Sequence, residues 1–566
     1  MRPSMGPEVN IRSIRALDRQ IKGGHGNIIE LKRTRNSLLN ISVKVPPEIL
    51  AGIFVWCVVR EENILAPPYA AHFAGLEKGA YTFLLVCHHW FEVASNTPEL
   101  WSFWGNSLEE WNRRCCHVRS VPVDLVLDTH WSHPGEILNI HLRDTLRNLA
   151  AQDKIRQVHL TGFNLNLLTS VLSSLTPDEE RTQERSIESI ALSAEYLPAL
   201  SGFFARSRLP KLRRLYIVGA HRAPIWSFLT LTSQTTHLTA LTLELASSSP
   251  PPTGSQILSI LASSPNLREL ELSGAALPNE AGEFDSIRVP LRHAQSIIFR
   301  GGFRPVFWLL HRLEFSGTID HLTLTVNNST ADDILRDLGP FMGDYFRRNT
   351  RLQGGLEVSL HEPDSIDISI DRVDDDSERN ILRPPSARFS TSFINLPPPE
   401  AKRLYVELLA HIPRERVIAL NTFYFEEIPE EILVAMPNIQ TLSIYGFRFS
   451  NGFLQPNPDG PHANAKLLPS LRHLYLTDVG PELSPSSELE ETYSKSQPGW
   501  GPLTHFLAQK AAENKLVSLH LGGDSSEIPW EIARVMRDLA EEFSYHVPGF
   551  GFRYVDGDRE DYYREW

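Results

Sequence analysis

Leu267-Arg-Glu-Leu-Glu-Leu272 reads apolar-x-x-apolar-x-apolar, and the same pattern returns along most of the chain. It is present as Ile155/Val158/Leu160, Ile187/Ile190/Leu192, Leu212/Leu215/Ile217 and Leu238/Leu241/Leu243, then as Ala294/Ile297/Phe299 and Ile319/Leu322/Leu324. Successive starts lie 25 to 32 residues apart. After a long interval the pattern reappears at Ile439/Leu442/Ile444, Leu471/Leu474/Leu476 and Leu516/Leu519/Leu521. Its apolar residues alternate with polar ones at the period of a strand that buries one face. Helical spacing is found between many of these strands, at Leu165–Leu175, Ile257–Ala262, Pro305–Leu313, Ala331–Leu338, Glu400–Ile412 and Ile528–Phe543.

A short strand plus a helix at this period is the signature of a leucine-rich-repeat array. Neither element buries its apolar side alone, so stacked neighbours make one continuous core. The pattern is irregular: of the ninth positions, where regular repeats place Asn or Cys, only Asn327 conforms. Residues 340–425 depart furthest. There Leu356/Val358/Leu360 and Ile366/Ile368/Ile370 alternate with period two, bounded by Asp374–Asp376 and Pro384–Pro385. They read as atypical repeat strands with an acidic loop, or as a small inserted subdomain. The repeat region is expected over 151–545, with 546–566 a C-terminal tail and 106–150 a linker.

Upstream of the repeats the periodicity is helical. Residues 1–40 form a lead-in in which Ile11, Ile14, Leu17 and Ile21 keep helical spacing, until Gly23, Gly24 and Gly26 interrupt it. Pro47 suits the first turn of a helix and Glu48 its positive end. Ile49, Leu50, Ile53, Phe54 and Cys57 follow as a stripe expected to be buried. A second helix carries Phe83, Cys87, Trp90 and Ala94, with Leu84 and Val86 widening its face. Thr97-Pro98-Glu99 reads as an N-cap, a first-position proline and an acidic first turn.

Val45-Pro-Pro-Glu-Ile-Leu-Ala-Gly-Ile-Phe54, Leu84-Leu-Val-Cys-His-His-Trp90 and Thr97-Pro-Glu-Leu-Trp101 together resemble an F-box. The lead-in Glu30-Leu-Lys-Arg-Thr-Arg-Asn-Ser-Leu-Leu-Asn-Ile-Ser42 is similar to that of the large F-box families of basidiomycete fungi. The likeness is specific over about 28–105 and looser over the repeats. Two departures stand out: Val45 replaces the usual leucine, and Cys57 to Tyr81 is longer than in a compact F-box. The resemblance implies an α/β protein in which a small α-helical F-box module, 41–105, precedes an irregular leucine-rich-repeat solenoid. It also implies the substrate-recognition subunit of a Skp–cullin–F-box ubiquitin ligase. Pro46, Ile49, Leu50, Ile53, Phe54, Leu84, Leu85, Val86, Cys87 and Trp90 would then pack on the Skp adaptor and, through it, reach the cullin. The competing reading is a repeat scaffold outside any ligase, with its helical head packed on its own repeats.

The residues offer little to an enzyme. No G-x-S-x-G elbow, H-E-x-x-H or paired glycine fingerprint is present. Cys87, His88 and His89, with Cys115, Cys116 and His117, lack the two-to-four-residue spacing of zinc ligands, so neither cofactor nor metal is expected. The net charge of -13 argues against a nucleic-acid partner, because phosphates call for a positive field. No apolar run reaches the roughly 20 residues needed to span a bilayer, so no membrane association is expected. Four cysteines without a disulfide framework, and no secretory signal, place the expected location in the cytoplasm or nucleus. A repeat array presents the residues between its apolar strand positions on the concave side. Tyr216, Glu271, Tyr475 and His520 are the candidates there for contact with a protein target.

Overall fold

The computed structural model describes residues 45–58, 81–104, 121–128, 140–161, 171–175, 183–193, 207–220, 237–246, 251–278, 288–315, 319–327, 329–349, 355–361, 365–373, 388–394, 398–423, 430–445, 468–477, 500–513, 516–522, 535–547, 551–556 and 559–562, and isolated positions between them. The chain is a mixed α/β protein dominated by parallel strands. It divides into two compact units, residues 1–252 with 256–267, and residues 253–255 with 268–566.

The first unit begins with helices α1 (Pro47–Val58) and α2 (His88–Ser95) and a 3-10 turn at Pro98–Trp101. Residues 81–86 are also helical, but Cys87 is extended, with φ -162° and ψ 168°, and its Sγ accepts from the Trp90 amide at 3.5 Å. The second helix expected from sequence is therefore two, joined by a thiol cap. Thr97 differs too. Its hydroxyl donates to Val93 O at 2.7 Å, closing the helix behind it rather than capping the turn ahead.

The sheet of this unit runs through β1 (Phe103–Trp104), β2 (Val123–Asp128), β3 (Ile155–Thr161), β5 (Ser189–Ser193), β7 (Arg214–Ala220) and β8 (Ala240–Leu245), each parallel to the next. The short strands β4 (Gln183–Glu184) and β6 (Ser207–Arg208) pair separately. Helix α3 (Ile140–Ala151) precedes β3. Asp153, at φ 53°, turns the chain between them while its carboxylate accepts from Ser186 N at 2.7 Å. Residues 106–150 are thus not merely a linker, because β2 and part of α3 fall within them. Val126 interrupts the alternation of Val123, Leu125 and Leu127, and that strand was missed in the sequence. Most of α4 (Gly254–Ala262) belongs to the first unit, which ends at Leu267.

In the second unit the chain forms β9 (Glu269–Gly274), β10 (Val289–Leu291), β11 (Ser296–Gly302), helix α5 (Phe303–Leu310), β12 (Leu313–Phe315), β13 (His321–Asn327) and helix α6 (Ala331–Arg348). It continues through β14 (Gly355–His361), β15 (Ser365–Val373), β16 (Arg388–Ile394), α7 (Pro398–Leu409), β17 (Val417–Phe423), α8 (Glu430–Ala435), β18 (Thr441–Tyr445) and β19 (His473–Thr477). Helix α9 (Trp500–Glu513), β20 (Leu516–Leu521), β21 (Ala540–Val547), β22 (Gly551–Asp556) and β23 (Arg559–Tyr562) complete it. Strands β10 and β12 pair apart from the main sheet.

The repeat pattern sets the register. Leu270 lies opposite Ile297 and Ile297 opposite Leu322, while Leu442, Leu474 and Leu519 align in the same way further on. All of these side chains are buried. Between the two runs, chain order and spatial order diverge: β13 pairs with β16, β16 with β15, β15 with β14, and β14 with β17. Of these, β15 alone is antiparallel to its neighbours. The irregular strands of 340–425 are therefore a meander built into the sheet, with Phe389, Thr391 and Phe393 of β16 taking up the core positions beside β13.

Helix α6 covers that core. Thr330 caps it by accepting from Asp333 N at 3.2 Å, Asp332 and Asp333 sit in its first turn, and Arg347 and Arg348 in its last. Its Tyr345 and Phe346 rings pack on Phe389 at 5.6 and 5.5 Å. At the C-terminal end the sequence reading is corrected. Residues 540–543 belong to strand β21, not to a helix running to Phe543, and the expected tail 546–566 includes β22 and β23, which extend the sheet antiparallel. Glu541 and Glu542 are exposed while Ala540 and Phe543 are buried, a spacing that a helix and an irregular strand share.

Thr391 and Thr422 sit on the apolar side of β16 and β17 with Oγ1 buried and unpartnered. An unsatisfied buried hydroxyl costs about 1–3 kcal/mol. Thr391→Val and Thr422→Val, close in shape, are each expected to stabilise the protein by about 1 kcal/mol, read as a higher urea midpoint at unchanged slope. A midpoint that falls would refute the assignment.

Candidate functional site

The helical head divides the apolar residues of α1 between two faces. Leu50 and Phe54 point into its own core, 3% and 1% exposed. Phe54 stacks on Phe83 at 4.3 Å and meets Trp90 at 4.8 Å. Ile49 and Ile53, by contrast, are 57% and 46% exposed, and Cys57 is exposed as well. The sequence stripe expected to be buried as a whole is corrected: Ile49, Ile53 and Cys57 face out and only Leu50 and Phe54 face in. Helical geometry explains the split, because one-residue steps of about 100° carry Ile49 and Ile53 well round from Leu50 and Phe54.

Leu85 is 85% exposed and Val86 50%, whereas Leu84 and Trp90 are half-buried. Pro46 is exposed. Sequence reasoning passed over two members of the outward face, Trp56 and Phe91, both exposed. Trp56 stands three residues after Ile53 and seven after Ile49, the spacing that marks one helix face. A head this small that leaves so many large apolar side chains in water has a surface suited to a partner.

The head is fused to the sheet behind it. Trp101 Nε1 donates to Ala94 O at 2.8 Å, and Trp104 Nε1 donates to Trp101 O at 3.0 Å. Tyr81 packs edge-on against Trp101, and the buried Arg114 guanidinium lies 5.4 Å from the Tyr81 ring while donating to Phe103 O. Strand β1 then pairs with β2 directly behind the turn.

The four candidate target residues have different settings. Tyr216 is buried against Ala191 and Ala240 and is not available as it stands. Its neighbours on that face, Asp124, His159, Ser189 and Thr242, are buried too. Asp124 is held by Arg156 at 2.9 and 2.5 Å, and burial, the larger effect, raises its pKa against that pairing. Glu271 accepts from Arg300 on the adjacent strand. Tyr475 and His520 are brought together, their rings stacked at 4.5 Å with 5° between planes. His520 Nδ1 also meets Ser544 Oγ, and His473 Nδ1 meets Ser518 Oγ at 2.8 Å. Burial chiefly, with His473 adding to it, lowers the pKa of His520. Ser518 and Ser544 are buried, so these pairs tie strands together and offer no exposed nucleophile.

Among the described residues no group of three or more His, Cys, Asp or Glu is placed to hold a metal, and no helix is long and apolar enough to cross a membrane. Cys115, Cys116, His117 and the acidic loop Asp374–Asp376 lie outside the described residues. No family model matches the chain, and no curated protein matches it significantly.

Two outcomes follow. Phe54→Ala is expected to cost about 3–5 kcal/mol in urea unfolding, whereas Leu85→Ala, at an exposed site, is expected to stay within about 0.5 kcal/mol. Equal losses would mean that Leu85 belongs to the core. The second concerns His159, whose pKa is pushed down to about 4 by burial first and by Arg214 second. Below pH 6.5 the unfolded chain takes up a proton that the folded one refuses. His159 therefore contributes stability that is full above pH 6.5 and lost as pH falls towards 4, on the order of 3 kcal/mol. His159→Gln should flatten that part of the pH profile, and an unchanged slope would show that the imidazole titrates normally.

Proposed function

We propose that this protein is a non-catalytic adaptor, the substrate-recognition subunit of a Skp–cullin–F-box ubiquitin ligase. Its head docks on the Skp adaptor, and its repeat region, a leucine-rich-repeat array interrupted by the meander, holds a protein target. The carrying observation is the outward apolar face of Ile49, Ile53, Leu85 and Val86 on a head whose core is already closed by Leu50, Phe54, Phe83 and Trp90. Fully covering one such side chain contributes about 1.5–3 kcal/mol, which a partner sets against the cost of association. The resemblance at residues 45–101 names the partner; the exposure supports that a partner is needed. In-register parallel ladders from β9 to β13 and from β17 to β20 support the repeat reading.

Such a protein makes and breaks no bonds. Its gain is effective concentration, because a tethered target meets the charged conjugating enzyme locally rather than by diffusion. The open candidates for target contact are Glu271, Tyr475 and His520.

The test is a pull-down of the full chain with purified Skp adaptor, beside Ile53→Asp and Leu85→Asp. The parent should be retained. Each variant should bind at least tenfold more weakly with an unchanged melting temperature. A folded parent that does not bind would favour the scaffold reading, in which the outward face serves another contact.

A further inference from the structure

Gly52 sits in the middle of α1, at a place where the fold has no evident need of a glycine. It is helical, and the glycines with positive φ among the described residues are Gly219 and Gly274. A Cβ built on Gly52 would meet no atom of the described residues within 4 Å beyond the adjoining helix backbone. Gly339 differs, because a Cβ there would lie 2.5 Å from the His411 ring. Glycine inside a helix is destabilising relative to alanine, since it loses more backbone freedom on folding. In a helix whose share of the core is Leu50 and Phe54, that weakness gains nothing within the protein.

The neighbours of Gly52 on the helix surface give it a role. Ile49, Gly52, Ile53 and Trp56 stand at i, i+3, i+4 and i+7, the four positions that border one hole between the side chains of a helix. All four are exposed, Ile49 at 57%, Ile53 at 46% and Trp56 at 64%. Three corners of this diamond are large and apolar, and the fourth is bare backbone, which deepens the hole. The one charged residue of the helix, Glu48, lies outside it.

We propose that the diamond seats one large apolar side chain, of the size of leucine, methionine or phenylalanine, carried on a helix of the docked adaptor. A helix is the fitting occupant because its side chains enter four-residue holes of this kind as knobs. The missing Cβ lets the partner helix approach more closely than any other residue would allow. This rests on adaptor docking at the outward face, and it specifies where on that face the two chains come closest and what side chain meets them there.

The test measures binding of the full chain to purified Skp adaptor by titration calorimetry, with melting temperatures alongside, for the parent, Gly52→Ala and Gly52→Leu. Because the space over Gly52 is open, neither variant should melt below the parent, and Gly52→Ala should melt above it. Affinity should fall with side-chain size, about fivefold for Gly52→Ala and about fiftyfold for Gly52→Leu, as for an overfilled packing site. Glu48→Ala, on the same helix but outside the diamond, should bind within about twofold of the parent. Unchanged affinity in both glycine variants, or an equal loss in Glu48→Ala, would overturn the diamond while leaving adaptor docking in place. A folded parent that does not bind the adaptor would overturn docking and the diamond together.

Discussion

Trp101 ties the head of this protein to its sheet. Its indole donates back to the last turn of α2, its face receives Tyr81, and the backbone it starts leads within two residues into β1. Arg114 adds a second tie, reaching the Tyr81 ring and the Phe103 carbonyl from another part of the chain. A buried guanidinium is tolerated only when its surroundings supply acceptors and π density. The arrangement converts what could have been a flexible junction into a continuous core from Phe54 through Trp101 and Trp104 to the strands of the first unit. Whatever docks on the outward face of α1 is thereby held at a defined distance from that sheet.

A different constraint governs the second unit. Parallel strands give their backbone groups partners only if each neighbour arrives in register, and the alternating Leu and Ile positions enforce that, since a one-residue slip would turn the whole apolar set to the other face. The meander of β14, β15 and β16 meets the same condition in another way. Reversing β15 lets a short connection replace a crossover helix, and β14 and β16 still present parallel edges to β17 and β13. The residue types follow: β16 keeps Phe389 and Phe393 on the core side but accepts Thr391 between them, a weaker apolar signal than the Leu-x-Leu of its neighbours.

That weaker signal marks the limit of what the sequence discloses. Strands whose core positions are Leu or Ile were legible in place and register, as Val158 facing Ile190 and Leu442 facing Leu474 confirm. Strand β16 was missed because Thr stands in its middle, and β17 because Val417-Ile-Ala-Leu420 has no clean alternation. The order β13–β16–β15–β14–β17 leaves no local trace, since any of these strands would look the same beside another neighbour. In the head, the helix spacing placed Ile49, Leu50, Ile53 and Phe54 on one broad stripe, and only packing reveals that Phe83 and Trp90 claim one side of it. The burial of Tyr216 escaped notice for a similar reason: alternation says which face a residue occupies, not whether that face is covered.

The division of α1 into two apolar edges and one acidic flank carries a wider consequence. A helix needs about a third of its circumference to hold a small core, and here Leu50 and Phe54 provide it. Ile49, Ile53 and Trp56 can therefore remain in water, and Glu48 is exposed as well. Selection for folding alone favours polar residues at exposed positions, because large apolar ones there add nothing to the native state and promote association. Two exposed isoleucines and a tryptophan on one edge fit the docking contact proposed above. The opposite edge, with Glu48 over Pro47 and Ala51, follows a different rule, charge above a shallow apolar floor. A single twelve-residue helix thereby presents two surfaces that differ in chemistry while drawing on one shared core.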